Sequence, residues 1–172
     1  MNEVQKILKK SFLRAEELDF PTFVTPERQS TPLNATPYIG HLDDVRHGRI
    51  LIKREELLAT LIAAVDELRE AGISPIAALL GGSAIGPKPL PSDLDCVLFY
   101  EMPVEPAVAI DLALFQLRYK ARRLDLRLIP ADGDPLLLIK ATSFFTTLYL
   151  TEGEDQCEIV RGLVLLDCRE QS

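Results

Sequence analysis

An α/β fold, a small mixed β-sheet flanked by helices, is what this sequence predicts, and three features predict it. Short apolar runs rich in strand-forming residues fall at 76–80, 93–100 and 124–129. Segments with helical spacing of apolar residues lie between and beyond them. Between the first two runs, Gly81, Gly82 and three prolines make a turn that returns the chain directly into the next strand.

In chain order, Val4, Ile7, Leu8 and Phe12 are spaced for a short amphipathic helix over 2–17. Pro21, Pro26, Pro32 and Pro37 then disfavour regular structure, and 20–48 reads as an extended arm or long loop. Over 53–71, Leu57, Leu58, Leu61, Ile62, Val65 and Leu68 define one helical face, and Gly72 stops the helix. Val108, Leu112, Phe115 and Tyr119 give a helix over 106–121. Another helix spans 135–150, and 158–166 reads as a last strand. No internal repeat or low-complexity segment is found. The organisation expected is one domain over 1–172. Its parts are an N-terminal helix and Pro-rich arm (1–48), a core (53–130), and a C-terminal helix and strand (131–172).

The 172-residue length suits one domain, and an apolar fraction of 47% suffices for a core. A formal charge of −7 argues against gripping nucleic acid over a broad face, though not against a local basic groove. Cys96, Cys157 and Cys168 are odd in number and widely spaced, which suits a reduced protein better than a disulfide scaffold. His41 and His47 lie far from any cysteine, which argues against a closed zinc site. No apolar run has membrane-spanning length, and the first residues lack the apolar stretch of a signal peptide. A cytoplasmic location without membrane partners is the expectation.

The chemistry concentrates in LLGGSAIGPKPLPSDLDCVLFY, residues 79–100. Gly82 permits close approach of another group, and Ser83 offers a hydroxyl beside the N–H groups of the turn, an arrangement suited to phosphates. Alternation along a strand points Asp93 and Asp95 to one face and Leu94 to the other. Adjacent carboxylates repel unless neutralised, and hard oxygen donors suit Mg²⁺ or Mn²⁺. On the third strand Arg123, Asp125 and Arg127 share a face. If that strand lies beside the second, Asp125 can join the site. The same residues also have plainer readings. Asp93 and Asp95 would serve as a solvated strand start, and Asp125 as a surface ion pair with its arginines. Lys88 reads equally as a phosphate ligand or an exposed side chain. The cluster Arg118, Lys120, Arg122, Arg123 and Arg127 reads first as a solvated helix end. Cys96 and the Phe144, Phe145, Tyr149 group read as packing, and His41 and His47 as ordinary loop residues.

The ordered set Gly82-Ser83, Asp93-x-Asp95 and a later Asp125 on its own strand resembles the signature of the DNA polymerase β-like nucleotidyltransferase superfamily. The likeness covers about residues 76–130. The surrounding segments are similar to a group of small stand-alone bacterial members of unassigned function. The points of likeness there are the His41 segment, the long helix, the GGS turn with Lys88, and an aromatic-rich later helix with Gly162. The resemblance implies a minimal nucleotidyltransferase fold, with Asp93, Asp95 and Asp125 holding catalytic Mg²⁺ or Mn²⁺. It implies that Gly82 and Ser83, with Lys88, contact the phosphates of an NTP such as ATP. The implied reaction moves an NMP group from that NTP to an acceptor, expected to be a small molecule, and releases pyrophosphate. Alternatives left open are transfer to RNA or protein, as in toxin–antitoxin systems, and a non-catalytic nucleotide-binding or interaction module.

Overall fold

Local sequence sets most elements of the computed structural model, which describes residues 2–24, 31–103, 110–152, 158–159 and 161–170. Helix α1 (Glu3–Glu17) starts at a capping box. The Asn2 side chain accepts from the Gln5 N–H, and the Gln5 side chain accepts from the Asn2 N–H, each at 2.9 Å. Helix α3 (Glu55–Glu70) buries Leu57, Leu58, Leu61, Val65 and Leu68 of the expected stripe together with Ala64, while Ile62 is only partly buried at its edge. The expected strands appear as β2 (Ser74–Gly81), β3 (Leu94–Glu101) and β4 (Leu124–Pro130). Helix α4 (Leu112–Lys120) is capped by Asp111, whose carboxylate accepts from the N–H groups of Ala113 and Leu114 at 3.0 Å. The earlier start expected for it, including Val108, lies outside the described residues. Helix α5 (Pro135–Leu150) matches its expected range, opened by an Asp134 cap and Pro135.

Two expectations need correction. The Pro-rich arm contains a strand, β1 (Tyr38–His41), followed by a short helix, α2 (Leu42–Arg46). Once Pro37 is passed, every N–H is available for pairing, and the Tyr38 ring is buried, with its hydroxyl donating to the Pro21 carbonyl at 2.8 Å. Within the same arm, residues 25–30 lie outside the described residues. The last expected strand is two strands with different partners. The described ends of a small pairing are β5 (Thr151–Glu152) and β6 (Glu158–Ile159), and β7 (Val164–Asp167) joins the main sheet.

The main sheet has five strands in the order β1-β7-β2-β3-β4. It is mixed. β1 pairs parallel with β7, β7 antiparallel with β2, β2 antiparallel with β3, and β3 parallel with β4. Alternation gives the sheet two faces. Ala78, Leu80, Leu94, Cys96, Leu98, Leu124, Leu126, Val164 and Leu166 pack into the large core with α1, α3 and α4. Leu79, Val97, Phe99 and Leu163 form a smaller core with Tyr149 of α5. Cys96 and Cys168 are buried and unbridged, as packing residues should be. No helix among the described residues is long and apolar enough to cross a membrane.

The chain just before β7 is clamped to the N-terminal segment. The Gly162 N–H donates to the Phe20 carbonyl at 2.6 Å. A Cβ on Gly162 would stand 2.7 Å from the Pro21 carbonyl oxygen and 2.8 Å from that of Phe20. Backbone cannot yield as a flexible side chain can, so Gly162→Ala should destabilise by about 1–3 kcal/mol, the cost of forced overpacking. A lowered urea midpoint at unchanged slope is the expected result, and an unchanged midpoint would mean that the two segments are not held together here.

Candidate active site

The register of β3 and β4 places Asp95 directly beside Asp125. Both stand on the α5 side of the sheet, because Leu94 and Cys96, and Leu124 and Leu126, point into the large core. Asp93 lies just before β3 and accepts from the Ser92 hydroxyl at 2.6 Å. Thus strand adjacency and a common face, both conditional in the sequence, hold for Asp95 and Asp125. Asp93 reaches the neighbourhood from the approach to the strand and not from within it.

Above Asp95 sits the glycine turn. Gly81 ends β2 opposite Asp95, and Gly82–Ala84 forms one 3₁₀ turn. Gly82 has φ +66°, in the left-handed region that only glycine enters freely. A Cβ there would collide with the Asp95 carboxylate oxygen Oδ2 and stand 2.8 Å from its Cγ. In the sequence the Gly82 position reads as room for a phosphate. The first group that needs it is the protein's own carboxylate. A Cβ on Gly81 would in turn stand 2.7 Å from the Tyr149 ring, so the same turn lets α5 close over the strand ends.

The Asp95 carboxyl is held above the usual carboxylate range. Burial is the main cause, followed by the negative charges of Asp93 and Asp125, with Arg161 and Arg127 opposing. The Tyr149 hydroxyl is pushed up by burial first, and then by the charges of Cys96, Asp95 and Asp125. These couplings put Asp93, Asp95, Asp125, Arg127, Tyr149 and Arg161 in one electrostatic neighbourhood. Asp125 is engaged by Arg127 at 3.4 Å and by Lys120 at 3.9 Å. Among the described residues, no three His, Cys, Asp or Glu side chains form a group ready to hold a metal ion. By chemistry alone, Asp93, Asp95 and Asp125 supply carboxylate oxygens, hard donors of the type that suits a hard divalent cation.

Two arginines organise the loops around the site. The Arg54 guanidinium donates to the carbonyls of Ala84 (2.8 Å), Gly86 (2.9 Å), Lys88 (2.7 Å) and Pro89 (3.3 Å). It thereby satisfies a loop too rich in proline to pair with itself. Arg123, at φ +67°, does not share the Asp125 face as expected. It turns back and donates to the carbonyls of Ser92 and Pro91, the latter at 2.6 Å, fixing the approach to Asp93. Of the remaining basic cluster, Arg118 pairs with Glu67 and Arg122 lies over the Tyr119 ring at 5.0 Å. Lys88 is exposed, and its backbone carbonyl, not its side chain, is what the loop uses. His41 ends the strand at the opposite sheet edge from β4, 4.0 Å from Asp167, and the His47 ring lies 2.6 Å from the Asp43 carbonyl. Neither histidine joins the carboxylates. The sequence reading missed Arg54, Arg161 and the closeness of Tyr149. Each acts across a long sequence separation, and no local pattern signals it.

These features define an α/β protein with a five-stranded mixed sheet, carrying a carboxylate pair beneath a glycine turn. The chain belongs to DUF6932, described as a family of unknown function, which it matches over residues 21–161. No curated protein and no solved structure matches it.

The raised Asp95 carboxyl has a consequence for stability. Its folded pKa lies above the unfolded value, so its charge costs stability at neutral pH. That cost fades as pH falls through the raised value towards the ordinary one. Asp95→Asn should therefore melt above wild type at pH 7 without added metal, and the gap should narrow on acidification. Thermal melts between pH 7 and pH 3 check this, and a variant that melts below wild type throughout would contradict it.

Proposed function

We propose that the chain is a metal-dependent nucleotidyltransferase with the minimal fold of that superfamily, transferring an NMP group from an NTP to a small-molecule acceptor. The observation that carries this reading is the side-by-side placement of Asp95 and Asp125 on parallel strands, beneath a glycine-serine turn, with Asp93 adjacent. Paired carboxylates are costly in a fold unless something uses them.

In this reading Asp93, Asp95 and Asp125 hold Mg²⁺ or Mn²⁺, which would polarise the phosphates and offset charge on the departing pyrophosphate. Gly82, lacking a side chain, leaves room for the Asp95 carboxylate against the turn. The Ser83 hydroxyl and the N–H groups of the turn bind the β- and γ-phosphates. Asp125 accepts the proton of the acceptor hydroxyl as that oxygen bonds to the α-phosphorus and the bond from the α-phosphorus to the β-bridging oxygen breaks. Tyr149 closes the floor of the site against water. Arg54 and Arg123 touch no reacting atom in this scheme; they hold the two loops that do.

A second reading is favoured by one observation. Asp125 is ion-paired with Arg127 and Lys120, which suits a nucleotide-binding module that performs no transfer. One experiment separates the two. Each labelled NTP is incubated with the protein and Mg²⁺ or Mn²⁺, with and without cell extract. Pyrophosphate release and mass spectrometry then locate the label. The transferase reading expects release that Asp93→Asn and Asp95→Asn each reduce by more than about a hundred-fold, since loss of even an outer-sphere partner costs ten- to a hundred-fold. NTP binding without release under any condition would favour the module. Ser83→Ala should weaken NTP binding about ten-fold to a hundred-fold, the value of one hydrogen bond to a charged group, and NMP binding less.

A further inference from the structure

We propose that Arg161 is the guanidinium that grips the outer phosphates of the nucleotide, so that the substrate must be a triphosphate and not a monophosphate. The inference rests on the nucleotidyltransferase reading and adds to it a residue outside the recognised signature.

The geometry begins with the register of β7 on β2. The pairs run from Ala77 with Asp167 to Leu80 with Val164. β2 ends at Gly81 and turns away, so the pairing stops there, but the chain just before β7 comes up at the same end of the sheet as the loop that follows the glycine turn. A Cβ on Gly86, at the far side of the turn, would lie 3.9 Å from the Cβ of Arg161. Leu163, two residues on, packs with Leu79, Val97 and Tyr149 on the same side of the sheet as Asp95. The half-buried Arg161 is therefore on the flank of the glycine turn, within electrostatic reach of Asp95.

Position alone would mean little if the backbone could drift. It cannot drift freely, because the next residue is Gly162, hydrogen-bonded to Phe20 and pressed against the Phe20 and Pro21 carbonyls. Across the turn, Arg54 pins Ala84 and Gly86. The loop around Gly86 and the backbone that carries Arg161 are thus each held in place, which keeps the two segments side by side.

The charges make the chemical case. A triphosphate brought to three carboxylates is repelled unless cations meet it. A divalent ion on the carboxylates answers for the phosphates nearest to them. The outer phosphates would still carry charge for the protein to meet, and a planar guanidinium can bind two phosphate oxygens at once. An NMP has no outer phosphates.

The test is calorimetric titration of wild type, Arg161→Ala, Arg161→Lys and a control, Arg169→Ala, with ATP, GTP, CTP and UTP and with the matching monophosphates, all in Mg²⁺. Arg169 is exposed, at the far end of β7, and paired with Asp167. Circular dichroism melts accompany each variant. Arg161→Ala should lose about ten-fold to a hundred-fold in affinity for the preferred NTP. Its affinity for the NMP should change by less than about three-fold, and Arg161→Lys should recover part of the NTP loss, while Arg169→Ala matches wild type. Equal losses for NTP and NMP would make Arg161 a counter-charge to Asp95 and overturn the proposal. So would an unchanged NTP affinity, with the transferase reading left standing. A wild-type protein that binds no nucleotide would overturn both.

Discussion

The contact of Gly82 with the Asp95 carboxylate governs the arrangement around it. A residue with any side chain would need both a left-handed backbone and the volume that the carboxylate already fills. Because Gly82 yields that volume, the strand β3 can bring a charged group under the end of β2. Because Gly81 yields volume as well, Tyr149 can lie over the same point and keep much of the water away. The site is dry enough for the charges of Asp93 and Asp125 to be felt at Asp95, and that coupling is visible in its raised carboxyl. One turn therefore fixes position, solvation and charge together.

Around this contact the sheet supplies the frame and two arginines supply the joints. Parallel pairing of β3 with β4 requires a crossover, and α4 provides it. The crossover delivers Asp125 at the same level as Asp95. The loops on either side have no sheet partners, and their carbonyls would be left without donors if they stood alone. Arg54 gives donors to four of them and Arg123 to two. Each guanidinium spends its charge on neutral oxygens, so it leaves a positive field beside the acidic cluster.

Most of the regular structure was legible because it obeys a short period. The α3 stripe, the β2 and β3 runs and the full extent of α5 follow from apolar spacing and from caps such as Asp134 and Pro135. Strand β1 was not legible. It has four residues, follows Pro37 directly, and owes its place to β7, far along the chain. The carboxylates were found because Asp93 and Asp95 lie close in sequence, and Asp125 because its strand alternates cleanly. Arg123 was misassigned for a physical reason: alternation holds only within a strand, and at φ +67° Arg123 has already left β4. Arg54 and Arg161 carry no local signature, since their meaning lies in carbonyls and carboxylates brought near by the fold.

The proposed reaction asks an acidic chain to face an anion, and the distribution of charge bears on how it would do so. The formal charge of −7 belongs to the whole surface. Around the carboxylates basic side chains gather, with Arg54 and Arg161 beside the turn and its loop, Arg123 just before β4, and Arg127 on β4 paired with Asp125. At physiological salt, charges are screened over about 8 Å, so a ligand in the site would sense these charges more than the distant surface. In the proposed reading, an acidic centre with basic neighbours would favour a ligand that carries both a cation and negative charge beyond it. A bare anion would meet the carboxylates, and a bare cation would meet the arginines. A metal-chelated polyphosphate would answer both parts, whereas a long nucleic acid would also have to run across the acidic surface outside the site. That asymmetry is the physical ground for a small-molecule acceptor in the proposed reaction.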